Sequence, residues 1–134
     1  MDLFLFVRSL LEQSATVWHS SLTQENEADL ERVQKSALQI MLQEKYHSYE
    51  HALKTLDLET SKERREHLCM NFALKCLKNP TFKDMFPLNN KSHEMGTRIT
   101  EKYEVQFALT NRLKDSPVIY MQKLLNQNEQ NNLG

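Results

Sequence analysis

Glycine is nearly absent from this chain: of 134 residues, only Gly96 and Gly134 are glycine. A dinucleotide-binding turn, a phosphate-cradling loop and most tight hairpins need glycine for positive φ or close backbone approach. None of these can be built here. Nucleotide binding through a glycine-rich loop is excluded, and a sheet-rich sandwich is disfavoured. Three prolines, Pro80, Pro87 and Pro117, leave long stretches free of helix breakers. The length suits one domain. With 40% hydrophobic residues, 26% charged residues and a net charge of −1, the composition is that of a globular chain, neither disordered nor membrane-spanning. The expected fold is mainly α: an irregular helical bundle of about five helices, an extended C-terminal segment and a short terminal helix.

Periodicity places the elements. Residues 2–13 read as a helix with Leu3, Phe6 or Val7, Leu10 and Leu11 on one face. Phe4 and Leu5 make its first turn apolar nearly all round, the pattern of a segment buried on every side. Two readings stand: core packing within this chain, or a chain that begins partway through a domain whose larger part once covered this helix. Left uncovered, Leu3, Phe6, Val7 and Leu10 would form an interaction surface. From Thr23, a plausible N-cap, a second helix runs to Leu42 with Leu30, Val33, Ala37, Ile40 and Met41 as its inner face. Ser48 caps a short helix bearing Tyr49, Ala52, Leu53 and Leu56. Thr60 and Glu63 form a capping box opening a helix with Leu68, Cys69, Phe72, Ala73, Cys76 and Leu77 inward, stopped by Asn79-Pro80. Pro80 starts one further turn carrying Phe82, Met85 and Phe86.

Residues 88–100 read as loop, and Tyr103, Val105 and Phe107 alternate with polar residues in an extended segment lying on the helices. Ser116-Pro117 opens a last helix with Val118, Met121, Leu124 and Leu125 buried. In domain terms, residues 1–78 form a helical bundle. Residues 79–125 add loop, extended segment and C-terminal helix packed on it, and the Asn/Gln-rich residues 126–134 form a disordered tail.

Little catalytic chemistry is visible. The five aspartates (Asp2, Asp29, Asp57, Asp84, Asp115) are scattered, whereas two-metal sites need paired acids. The glutamates near helix starts answer the helix dipole. His47 and His51 have a chelating spacing but lack the rest of a zinc signature. His67, Cys69, Cys76 and His93 fit no zinc pattern, and His19 beside Ser20 and Ser21 resembles a nucleophile pair in composition alone. No catalytic residue, metal or cofactor is expected. Cys69 and Cys76, seven apart on a helix, stand about 10 Å apart along its axis, beyond disulfide reach. They read as reduced core thiols of an intracellular protein. The Leu3–Val7 run is too short for a leader or a membrane span.

Basic residues cluster modestly. Lys62, Arg64, Arg65, Lys75, Lys78 and Lys83 face only Glu63 and Glu66 in their stretch, and Arg98, Lys102, Arg112 and Lys114 form a second group. Such patches can neutralise phosphates in a salt-dependent way; the plainer alternative is a solvated helix face.

Several stretches together resemble a known family. Val7-Arg8-Ser9-Leu10-Leu11-Glu12-Gln13-Ser14-Ala15-Thr16-Val17-Trp18-His19 is similar to the helix-then-tryptophan segment after the polymerase core of non-LTR (LINE-type, jockey-like) retrotransposon reverse transcriptases. Leu30-Glu31-Arg32-Val33-Gln34-Lys35-Ser36-Ala37-Leu38 resembles that family's next helix, and Ser48-Tyr49-Glu50-His51-Ala52-Leu53 and Glu63-Arg64-Arg65 match further elements in order. Phe107-Ala108 and Ser116-Pro117 through Tyr120 resemble its closing segment. The resemblance spans nearly the whole chain and implies the thumb and C-terminal region of such an enzyme, helical and non-catalytic by itself. The implied partners are RNA or RNA–DNA duplex, a second copy or the polymerase core, with no membrane. Arg32, Lys35, Arg64, Arg65, Lys75 and Lys78 are the implied nucleic-acid contacts. Gln13 replaces a usual Tyr, Ser36 and Gln39 replace Arg, and Leu109, Leu113 and Ile119 replace Arg, Tyr and Pro, so the Arg32–Gln39 face has lost basic charge. The palm with its paired aspartates is absent from this sequence.

Overall fold

Side-chain caps start most of the helices, and they do so where short polar residues precede apolar periodicity. The computed structural model describes residues 2–88 and 102–133, with the side chains of residues 2, 3 and 133 outside that description. Among the described residues the chain is mainly helical: α1 (Asp2–Glu12), α2 (Ala15–Trp18), α3 (Gln24–Leu42), α4 (Tyr49–Thr55), α5 (Ser61–Lys78), α6 (Asn111–Lys114) and α7 (Pro117–Leu133). Thr23 Oγ1 accepts from the Asn26 amide and Ser48 Oγ from the His51 amide, each at 3.2 Å. The Thr60–Glu63 box closes in both directions, at 3.1 and 3.2 Å. Thr110 caps α6 in the same way.

The chain divides into two compact units, Met1–Leu68 and Cys69–Gly134. The division falls inside α5, with Ala73 and Cys76 in the second core. In the first unit α1 and α4 pack on α3, burying Phe4, Ala37, Leu38 and Ala52 with Val7, Met41, Tyr49, Leu53 and Leu56 half-buried around them. The buried line of α3 is Gln34, Ala37 and Leu38, while Val33 and Ile40, expected inside, are exposed. Ala37 keeps its place, so the inner face is turned by about 60°, less than the ~100° between successive residues. It follows from Gln34, whose amide finds partners inside and so can replace an apolar side chain there.

The second unit's core joins Ala73 and Cys76 of α5 with Phe86, Tyr103, Met121 and Leu125. Cys69 and Cys76 are buried thiols, and burial pushes the Cys76 thiol up. Phe72, expected inside, is exposed. Among the described residues the extended segment makes one bridge, Leu88 to Tyr103, beside which the Glu104 amide donates to the Pro87 carbonyl at 2.8 Å, and α7 holds further backbone groups. Asn126 accepts from the Tyr103 amide at 2.9 Å and donates to its carbonyl at 3.0 Å. One turn earlier, Gln122 accepts from the Gln106 amide at 3.0 Å and donates to the Met85 carbonyl at 2.8 Å. These two amides substitute for a neighbouring strand. They also correct two expectations: the terminal helix is 17 residues long rather than short, and α7 runs to Leu133 where residues 126–134 were expected to be disordered. The expected loop over 88–100 lies, past Leu88, outside the described residues.

With glycine scarce, positive φ falls on Ser14 (54°), Gln43 (47°) and Asp57 (52°). Gln43, closing α3 at ψ −116°, carries a Cβ where glycine is preferred. Gln43→Gly should raise unfolding stability by about 0.5–1 kcal/mol in urea titration. Asn126→Ala leaves the Tyr103 amide and carbonyl unanswered in a buried site and should cost about 2–4 kcal/mol by the same measurement.

Candidate functional site

In the first unit, buried and half-buried polar side chains meet at two of the places where helices distant in sequence are joined. At the first, Glu31 of α3 accepts from the Tyr49 hydroxyl of α4 and, at 3.2 Å, from the Ser61 amide that starts α5. A carboxylate there suits the positive helix end. Gln34 donates to the Tyr49 hydroxyl at 3.0 Å and to the Glu59 carbonyl at 3.2 Å. Burial, and then the bond to Glu31, push the Tyr49 hydroxyl far above the usual phenol range.

The second place is Arg65, which is fully buried. Its Nε donates to His19 Nδ1 at 3.3 Å and its Nη1 to Ser61 Oγ at 2.6 Å. The guanidinium carbon lies 5.8 Å from the centre of the Trp18 ring, within cation–π range. Nη2 has no hydrogen-bond partner among the described residues. A buried cation next to an imidazole favours the neutral ring. Burial first, and then the Arg65 guanidinium, hold His19 below its ordinary 6.5, opposed by Glu66 and Glu27.

The six basic residues expected to meet nucleic acid are therefore not equivalent. Arg65 is corrected outright: a guanidinium with no exposed surface cannot reach a phosphate. Arg64, half-buried, is held by Glu12 at 3.1 Å, and Glu12 takes Arg8 at the same distance. Arg32 is exposed and paired with Asp29 at 2.9 Å. Lys35 is exposed on α3. Lys75 and Lys78 are exposed on the part of α5 that lies in the second unit. Of the expected interaction surface, Phe6 and Leu10 are 63% and 56% exposed and are joined by Leu5 at 56%. Val7 instead packs half-buried against the first core, because it follows Phe4 one turn along the inner side. The side chain of Leu3 lies outside the described residues.

Other sequence candidates separate. His47 and His51 stack edge to face, 5.3 Å apart, and Ser21 donates to the Trp18 carbonyl. Arg98 and His93 lie outside the described residues. Among the described residues, no group of three or more His, Cys, Asp or Glu side chains is placed to hold a metal ion, and no helix is long and apolar enough to cross a membrane. Burial of Gln34, Gln122 and Asn126 was not expected from the sequence, and Arg65 was expected at the surface. Their available signal was position: each sits at helical spacing from buried apolar neighbours. No family profile, curated protein or solved structure matches this chain.

Because the folded state holds His19 below 6.5, the unfolded chain binds the extra proton first. The stabilisation is complete above about 6.5 and is lost as pH falls. Thermal melts from pH 7.5 down to pH 5.5 (about one unit either side of the free histidine value) should show stability declining more steeply for the natural chain than for His19→Gln.

Proposed function

We propose that this chain is a non-catalytic, helical C-terminal portion of a non-LTR retrotransposon RNA-directed DNA polymerase, with weak electrostatic binding to RNA or RNA–DNA duplex. The observation behind the proposal is that the sequence elements carrying the resemblance meet in space. Trp18 and His19 close the first element, and both contact Arg65 of the fourth. Glu31 and Gln34 of the second element bond to Tyr49 of the third, and Glu31 also holds the amide that begins the fourth element's helix. Four stretches inherited together because they pack together would look like this. In this reading Arg65 is a framework residue, and the nucleic-acid contacts fall to exposed lysines: Lys35 in one unit, Lys75 and Lys78 in the other.

Retention of labelled RNA–DNA duplex tests the binding. Neutralising two or three phosphates predicts a loss of roughly 10- to 40-fold in affinity between about 50 and 200 mM salt. Lys75→Glu with Lys78→Glu should weaken binding at low salt, and Lys35→Glu should do so separately. Binding that is absent at low salt, or indifferent to it, removes the nucleic-acid role.

A second reading, a helical protein-interaction module working through α1, is favoured by the exposed Leu5, Phe6 and Leu10 side chains.

A further inference from the structure

We infer that α1 and the first turns of α5 form a docking groove for an apolar, acidic peptide segment of a protein partner. The inference rests on the second reading above and names the chemistry of what that surface takes. A groove of about 710 Å³ is lined by Leu5 and Leu10 of α1 and Leu68 of α5, with Arg8, Glu12 and Arg64 beside them. Both guanidinium Nε atoms donate to the same Glu12 oxygen at 3.1 Å. Two cations therefore share one anion, and the groove carries a surplus positive charge.

That charge is not in open water. The Arg8 and Glu12 side chains are 17% and 18% exposed and Arg64 is 40% exposed. A carboxylate entering the groove beside Leu5, Leu10 and Leu68 meets it where screening is weaker than in open water. Each guanidinium has five N–H donors, of which the Nε–H is the one given to Glu12, so both forks can still take a carboxylate. Leucines next to an arginine pair suit a segment that alternates leucine or aromatic anchors with Asp or Glu.

Nucleic acid fits less well. Leu5, Leu10 and Leu68 offer a phosphodiester no donors while stripping its water. A second copy of this chain also fits less well, because two-fold pairing sets the same surplus cation against itself.

Selection of random short peptides on the immobilised full chain tests this. Enriched sequences should combine Leu, Phe or Trp with Asp or Glu. A synthetic winner should lose roughly tenfold in affinity on Leu10→Ser, on Arg64→Gln, and on replacement of its own Glu by Gln. Arg32→Gln, outside the groove, should change nothing. If Arg64→Gln loses helicity, the peptide's Glu-to-Gln arm reads the same contact with the protein intact. No enrichment, or basic or purely apolar winners, overturns the inference. Indifference to both Leu10→Ser and Phe6→Asp overturns it together with the α1 reading. Sensitivity to those two but not to the carboxylate or Arg64→Gln overturns the charge recognition while leaving the α1 reading standing. Displacement of the peptide by RNA with the same variant dependence gives the groove to nucleic acid. A dimer in sedimentation that Leu10→Ser dissolves gives it to a second copy.

Discussion

One oxygen of Glu31 holds the first unit's helices in register: it takes the Tyr49 hydroxyl from α4 and the first amide of α5. Helices as short as α1, at 11 residues, and α4, at 7, are marginal alone and need tertiary contacts. Here the apolar contacts are modest, with Ala37 and Ala52 among the core residues. Small side chains bring backbones close but discriminate poorly between neighbouring registers. A half-buried carboxylate with two specific donors discriminates better, because a slip takes both donors away from it. Gln34, bonded to the same hydroxyl and to the Glu59 carbonyl, locks the geometry a second time.

This explains what could be read in the sequence. Thr23, Ser48 and the Thr60–Glu63 box act on amides three residues away, so their signal is local and complete in a short window. The existence and order of the longer helices follow from the same windows. The inner faces do not. Val33, Ile40 and Phe72 are apolar and face outward, while Gln34, Arg65 and Asn126 are polar and face inward. Hydrophobic periodicity assumes that apolar residues are the ones inside, and it fails wherever a polar side chain has a distant partner waiting. Asn126 is the sharpest case: in an Asn/Gln-rich stretch it looks solvated, yet it answers both backbone groups of Tyr103, 23 residues away.

Charge is hard to place from sequence for the same reason. Arg64 and Arg65 are adjacent in a basic stretch, and sequence alone treats them as equal. One helical step, about 100°, separates them completely. Arg65 points among Ser61, His19 and Trp18, whereas Arg64 reaches Glu12 at the edge of α1. A buried guanidinium is costly unless its donors are met. Its retention here beside a neutral imidazole and an indole face argues for a role in fixing α2 against α5 rather than in ligand binding.

Surfaces left after this internal pairing differ in kind. Lys35 stands exposed on α3, and Lys75 and Lys78 on the second part of α5, where an attraction to phosphate is long-ranged, weak and erased by salt. The α1 groove combines half-buried arginines with leucine walls. Attraction there is short-ranged, tied to shape, and less sensitive to salt because part of it is apolar. A single chain can carry both without conflict, because ionic strength weakens one far more than the other. That difference in salt response, more than the identity of any basic residue, separates a nucleic-acid face from a protein-docking face in a molecule whose most conspicuous arginine is buried.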